Sequence, residues 1–375
     1  MSRKVLMVAT YGDFFAAFET NNIKILNEMG CEVHLCANWL DDRYNYKHSK
    51  LEGLDFKKIN IAFERSPFAL KNIRNYQKLL KLMKKEDYYL VDCHNAVIGV
   101  YARIAAKVNK VPKTMYTAHG FQFFRGGRKI DWIVYYPIEK HLSRMTDQLV
   151  VINNEDFELA KKFYAKKVNK IPGVGFNYKD FSESTVDKIE KKRELNIPRN
   201  AFVIISVGEL SKRKNHEVII KAISQLKSEH IYYVVAGEGE RKAYLSKLSV
   251  DLGVQDRVKL LGYRSDIHAL NEIADIAAFP SLREGLGIAA LESLASGLPL
   301  ISSNVQGIKD YSIDGVTGFV VESKEVHAYA EVIAKACDNV NLRKEFASFA
   351  KKKAKEFAIE EVDVMMKHIY NDILK

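Results

Sequence analysis

The chain has 375 residues, of which 47% are hydrophobic and 28% charged, and a formal net charge of +11. Its length and composition suit about two globular domains and exclude a disordered, collagen-like or linker-dominated chain. The charge is lopsided: residues 1–180 hold 30 Lys and Arg against 19 Asp and Glu, while the remainder balances, so an anionic partner is expected on the first half.

In chain order, Val5–Ala9 reads as a buried strand, Phe15–Met29 as a helix and Glu32–Ala37 as the next strand. Leu70–Lys85 and Ala96–Val108 have helical spacing, and Tyr89–Cys93, Thr114–Ala118 and Gln148–Ile152 are further strands. Such alternation predicts a parallel sheet covered on both faces. The Ile171-Pro-Gly-Val-Gly175 segment and the polar stretch Lys179–Arg199 interrupt it. Alternation then restarts, with strands at Phe202–Val207, Tyr232–Ala236, Val258–Leu261, Ile276–Phe279 and Pro299–Ser302. Helices are expected between them at Glu217–Glu229, Arg241–Leu252 and Ile288–Ser296. The expectation is two tandem α/β, Rossmann-like doubly wound domains, 1–175 and 176–353, facing across a cleft that holds the ligands. Residues 354–375 form a closing helical segment that could pack back on the first domain.

No apolar run approaches the ~18–20 residues that span a bilayer, and Val5–Thr10 is too short for a signal-peptide core, so a cytoplasmic location is expected. Cys31, Cys36, Cys93 and Cys337 form no CxxC pair, and neither a disulfide framework nor a metal site is expected from them.

The segment Phe279-Pro-Ser-Leu-Arg-Glu284-Gly285-Leu286-Gly287-Ile288-Ala-Ala-Leu-Glu292 carries the chemistry. A strand ends, a loop presents Glu284 and two glycines, and a helix starts near Ile288. A helix N-terminus offers unpaired N–H groups and a positive dipole end to a phosphate. Gly285 and Gly287 let backbone approach closely. Glu284 and Glu292 suit the two rings of a nucleotide sugar; without context they are equally a loop acid and a helix-surface acid.

Glu284 and Glu292, within Glu-Gly-Leu-Gly-Ile…Leu-Glu-Ser-Leu-Ala-Ser-Gly297-Leu-Pro299, resemble the E-x7-E signature of retaining glycosyltransferases of family 4, which have the GT-B fold. Other family segments recur in order along the whole chain. In Ser206-Val-Gly208-Glu209-Leu-Ser-Lys212-Arg213-Lys214-Asn-His, the resemblance makes Lys214 the lysine that binds the donor diphosphate, with Gly208 before it. Many members carry Arg after that glycine, where this chain has Glu209; Arg213 or Lys212 could compensate. Tyr116-Thr-Ala-His119-Gly120 resembles the family's first-domain histidine, which implies contact with the donor sugar. His94, at the end of another strand, matches nothing in the family and reads as structural. Gly12-Asp13 matches the loop after the first strand: Gly12 as a backbone contact, Asp13 as either an acceptor contact or a loop cap. Leu261-Gly-Tyr-Arg264-Ser-Asp266 resembles the base-contacting segment, with Arg264 stacking on the base. Gly237-Glu-Gly239 mimics a dinucleotide fingerprint, but Lys242 stands at the third glycine position, which rejects a nicotinamide or flavin reading.

Phe121-Gln-Phe-Phe-Arg125-Gly-Gly-Arg128-Lys129-Ile-Asp-Trp132 mixes aromatics with cations just after His119. With the lysine-rich pattern of Lys71, Arg74, Lys78, Lys81, Lys84 and Lys85, it suits a surface resting on anionic lipid at the inner face of the membrane. The alternative is an ordinary core helix and a solvated charged face. No nucleic-acid motif accompanies the charge.

The resemblance implies a retaining transfer of a hexose or N-acetylhexosamine. The donor is a nucleotide-diphosphate sugar, UDP-linked by family frequency, with GDP-mannose the alternative. The acceptor is a glycan hydroxyl, lipid-linked through polyprenyl diphosphate. Catalysis falls to Glu284, His119 and Lys214; the donor is held by Gly12, Gly208, Arg213, Arg264, Gly285, Leu286, Gly287, Ile288 and Glu292. Asp13, Arg125, Arg128, Lys129 and Trp132 are the acceptor- and membrane-side candidates. The absence of any Asp-x-Asp pair agrees with a metal-independent enzyme that needs no cofactor. The alternatives are a catalytically silent GT-B subunit that assists a partner transferase, or a nucleotide-sugar epimerase.

Overall fold

The computed structural model describes residues 2–41, 48–64, 66, 69–183, 186–226 and 228–375. The chain forms two compact units, Met1–Val174 with Glu360–Lys375, and Gly175–Ile359.

The first unit contains strands β1 (Lys4–Tyr11), β2 (Glu32–Asn38), β3 (Lys57–Asn60), β4 (Leu90–His94), β5 (Lys113–Ala118), β6 (Gln148–Val151) and β7 (Lys167–Lys170). Its helices are α1 (Thr20–Glu28), α2 (Leu70–Glu86), α3 (Ala96–Val108), α4 (Lys129–Leu142) and α5 (Asn154–Ala160). The strands pair in parallel in the order β3-β2-β1-β4-β5-β6-β7. β1 is buried along nearly its whole length, as a strand covered on both faces must be. Its sheet core joins Leu6, Val8, Val91 and Cys93 to Ile98 and Ala102 of α3.

The second unit contains β8 (Phe202–Val207), β9 (Ile231–Ala236), β10 (Val258–Gly262), β11 (Ile276–Phe279), β12 (Leu300–Ser303) and β13 (Gly318–Val321). Its helices are α6 (Tyr178–Ser182), α7 (Lys188–Glu194), α8 (His216–Gln225), α9 (Lys242–Asp251), α10 (Ile267–Ile273), α11 (Ile288–Ala295), α12 (Val326–Asp338) and α13 (Val340–Lys355). The order is β10-β9-β8-β11-β12-β13, again parallel. Ile204, Ile219, Tyr233, Ile276 and Ile333 lie at the centre of its core. Both sheets are therefore doubly wound. Their strand order reverses at β1/β4 and at β8/β11, the crevices where ligands of such sheets bind.

Helix α14 (Ile359–Ile373) follows, and its residues from Glu360 onward belong to the first unit. There the Tyr370 hydroxyl donates to Asp92 Oδ2 at 2.8 Å, and Asn21 Nδ2 donates to Asp363 Oδ2 at 2.9 Å. The expected 354–375 segment is thus divided, because residues 354–355 end α13.

Two helices depart from these expectations. The helix expected over 15–29 opens as a π-helical turn, Phe15–Glu19, before α1. The helix expected over 217–229 stops at Gln225, and Lys227 lies outside the described residues.

Candidate functional site

At the β8/β11 switch point, Gly208 follows the last residue of β8, and the alkyl chain of Lys214 lies over that glycine. Lys214 Nζ reaches Glu284 Oε2 at 2.6 Å, and Arg213 Nη1 reaches the same oxygen at 3.1 Å. The Ser281 hydroxyl is 3.4 Å from it. Burial opposes ionisation of Glu284, but the charges of Lys214 and Arg213 outweigh it and hold the carboxyl below its usual range. Glu209, which stands where a further cation was expected, lies 3.8 Å from Arg213 Nη2. It shares Arg213 with Glu284.

The loop that carries Glu284 is fixed by backbone contacts. The Leu282 N–H donates to the Arg213 carbonyl at 2.8 Å, and the Gly307 N–H donates to the Glu284 carbonyl at 3.2 Å. Leu286 is buried, and its carbonyl accepts from the Tyr311 hydroxyl at 2.5 Å. Gly287 is the N-cap of α11, at φ 86°, and no side chain caps the helix there. A Cβ at Gly287 would lie 2.9 Å from Tyr311 Oη and 3.0 Å from Glu284 Cγ, so both conformation and space demand glycine. The first-turn N–H groups of α11, beginning at Ile288, have no intrahelical acceptor, and they lie beside two cations. Glu292 sits about one turn along the helix, half-buried. This arrangement can hold a polyanion.

Arg264 presents its edge to carboxylates: Nε and Nη2 donate to Asp266 at 2.7 and 2.6 Å, and Nη2 to Glu194 at 2.9 Å. The planar faces of the guanidinium are what remain for stacking.

In the first unit, the β1/β4 crevice gathers a different set. His94 closes β4, His119 follows β5, and Glu19 ends the π-helical turn after β1. His94 Nδ1 lies 3.4 Å from His119 Nε2 and 3.4 Å from Glu19 Oε1, and His119 Nε2 is 3.6 Å from the same Glu19 oxygen. Asp92 Oδ1 is 3.5 Å from His94 Nε2. Burial pushes His119 down to about 4 and Asp92 up to about 7, the latter opposed by the Tyr370 hydrogen bond. Burial, and then Asp92, raise Glu19 well above its ordinary value. His94, read from sequence as structural, and Glu19, not singled out at all, are thus neighbours of His119. The available signal was positional: both histidines sit at strand carboxyl ends.

Other first-unit expectations change. Asp13 is wholly buried. Gly12 donates its N–H to the Asn38 carbonyl at 2.8 Å, and a Cβ there would lie 2.3 Å from the Trp39 ring; indole packing already explains this glycine. The aromatics expected at a lipid surface face inward. Phe121 and Phe123 are buried and stacked, and Trp132 packs on Phe123 and donates to the Phe124 carbonyl at 3.0 Å. The exposed face of α4 is aliphatic instead, formed by Ile130, Ile133, Val134 and Ile138. Arg125, Arg128 and Lys129 are exposed, with Arg128 paired to Asp131 at 2.7 Å. The six cations expected on α2 are exposed as well.

Two doubly wound parallel sheets in tandem, the second with a cation-lined helix N-terminus at its switch point, define the GT-B class of glycosyltransferases. The sequence matches the family model for glycosyl transferases group 1 over residues 187–353 and that for glycosyl transferase 4-like proteins over residues 4–153. The chain belongs to the family-4 type of GT-B glycosyltransferases. It is 33% identical to EpsD of Bacillus subtilis (strain 168), covering 99% of this chain and 97% of that one. It is 31% identical to the UDP-Gal:α-D-GlcNAc-diphosphoundecaprenol α-1,3-galactosyltransferase of Escherichia coli, over 72% of each chain. Its fold is similar to that of Anabaena Alr3699/HepE, solved with UDP and glucose, with a TM-score of 0.81 at 18% identity, over 99% of this chain and 100% of that one.

Proposed function

We propose that the chain is a retaining transferase. It moves a hexose or N-acetylhexosamine from a UDP-linked sugar to a hydroxyl of a polyprenyl-diphosphate-linked glycan, in cell-surface polysaccharide synthesis. The observation that carries this reading is the pairing of Lys214 and Arg213 with Glu284 beside the N-terminus of α11. Support for UDP comes from the ligand of the Anabaena structure, and support for the lipid-linked acceptor from the name of the Escherichia coli relative.

In the proposed step, the bond between the anomeric carbon and the diphosphate oxygen breaks. The acceptor oxygen bonds to that carbon on the same face, and its proton passes to the departing diphosphate. Lys214, Arg213 and the α11 N–H groups stabilise the charge that develops on the leaving group. With two cations and a helix end on the diphosphate, its binding needs no metal bridge. Glu284 orients the sugar, Glu292 takes ribose hydroxyls and the Arg264 face takes the base. The role of His119 toward the sugar rests on the family resemblance.

The acceptor side is assigned to the first unit. The exposed aliphatic stripe of α4 and the basic face of α2 suit peripheral binding to anionic lipid. No helix among the described residues is long and apolar enough to cross a membrane.

The test is a thermal-shift titration with UDP, GDP, ADP and their sugars, with and without EDTA. A rise in melting temperature with UDP that survives EDTA is expected by mass action. No shift with any nucleotide, in folded protein, would overturn the donor site and bring forward a silent subunit.

A further inference from the structure

We propose that Glu19, His94 and His119 form a binding site for one divalent transition-metal ion of the zinc type. The three candidate ligand atoms, Glu19 Oε1, His94 Nδ1 and His119 Nε2, form a triangle with sides of 3.4, 3.4 and 3.6 Å. The centre of that triangle lies about 2.0 Å from each atom, which is the length of zinc–imidazole and zinc–carboxylate bonds. Two imidazoles and one carboxylate with a further position open is a donor set that zinc accepts at catalytic sites.

The surroundings support a cation. Asn22 Nδ2 donates to Glu19 Oε2 at 2.7 Å, which aims the other carboxylate oxygen at the imidazoles. Glu19 Oε1 is buried and has no hydrogen-bond donor among the described residues. Asp92 stands behind His94 on the opposite ring nitrogen, at 3.5 Å, and is itself held by the Tyr370 hydroxyl. A carboxylate behind a ligating histidine fixes the ring and raises its basicity. No Lys or Arg pairs with Glu19 or Asp92 among the described residues, so two buried carboxylates lack a cation. A proton can serve one side of the triangle at a time; a metal ion serves all three corners. Phe14 packs against both imidazoles, with ring centroids at 5.5 and 5.2 Å, and keeps the cluster dry. His119 is its partly exposed member and lines a cavity of about 400 Å³ with Thr10, Asn95 and Gln122. That cavity gives the ion a way in and its open position a hydroxyl-bearing or water ligand.

The site is tested on the full chain, stripped with chelator, dialysed and titrated with zinc chloride by calorimetry, with metal content measured after gel filtration. One zinc per chain is expected. Glu19→Gln and His94→Gln should lose it while keeping the circular dichroism of the unsubstituted chain. Asp92→Asn, which leaves all three ligands in place, should weaken binding about 10–100-fold. Cobalt(II) in place of zinc should show the intense visible absorption of a four-coordinate ion. No retained metal, or equal uptake by E19Q and H94Q, would overturn the site and leave a hydrogen-bonded cluster. Zinc uptake is read without nucleotide or acceptor, so it stands or falls separately from the transferase reading.

Discussion

The two switch points are built alike and charged oppositely. Each lies where the strand order of a parallel sheet reverses, at β1/β4 and at β8/β11. At the second, two cations converge on one carboxylate beside a helix N-terminus. At the first, two buried carboxylates and two imidazoles meet with no Lys or Arg paired to them among the described residues. Topology supplies the crevice, and side-chain charge decides its ligand: an anion in the second unit, a cation in the first.

Arg103 provides the internal control. It is buried beside the first crevice, donates from Nη2 to Glu139 Oε2 at 2.8 Å and from Nε to the Gly99 carbonyl at 2.9 Å, and stacks on Tyr116. Glu139 has the cation that Glu19 lacks. Arg103→Ala would strand that carboxylate and should destabilise the fold by about 3–5 kcal/mol, read as a large fall in thermal midpoint. A neutral result would mean that buried carboxylates here need no counter-charge, and would weaken the contrast.

The crevice proposed for the donor should respond in rate. Lys214→Ala is expected to lower transfer about 10²–10³-fold, the usual loss when one stabilising donor is removed, and to weaken UDP binding. Glu284→Gln should lower transfer while leaving UDP binding nearly intact, since both cations remain. Equal loss of UDP binding in the two variants would show that Glu284 only positions Lys214.

Acid should separate the histidines by their surroundings. Burial, with Lys214 adding to it and the hydrogen bond to the Glu209 carbonyl opposing it, pushes His216 down to about 4. Between its ordinary value of 6.5 and about 4, the unfolded chain binds a proton that the folded chain refuses. Stability is therefore lost as pH falls through that window, by up to about 3 kcal/mol for this group. His216→Gln should flatten that part of the melting-temperature profile; an unchanged slope would assign the loss to other groups.

The smallest effect is expected at Gly287. Alanine there adopts a left-handed conformation costing roughly 1–2 kcal/mol and crowds Tyr311 and Glu284. UDP affinity should fall by about tenfold for each 1.4 kcal/mol of that cost expressed at the site.

The central strands were legible because each is a short apolar run covered on both faces. β3 and β7 were not, because as sheet edges they read Lys-Lys-Ile-Asn and Lys-Val-Asn-Lys, with too little apolar burial to leave a pattern. The loop proposed to hold the donor was legible because its residues are contiguous: Glu284 through Glu292 form one loop–helix unit. For Trp132 the sequence left a lipid-facing surface and a core helix both open, because an aromatic beside cations looks alike whichever way it points; packing on Phe123 turns it inward.

By itself the sequence determined two doubly wound domains, since those follow from periodicity; the candidate phosphate-binding helix start came from neighbours along the chain, and Lys214 was matched to it only by the family resemblance. Tertiary structure alone decided that Glu284 is the partner of Lys214, 70 positions away. It also decided that Glu19, His94 and His119 share one triangle, and that Tyr370 braces Asp92 across 278 positions. Parallel sheets bring strand ends together from distant sequence, so a site made at those ends has no spacing to read.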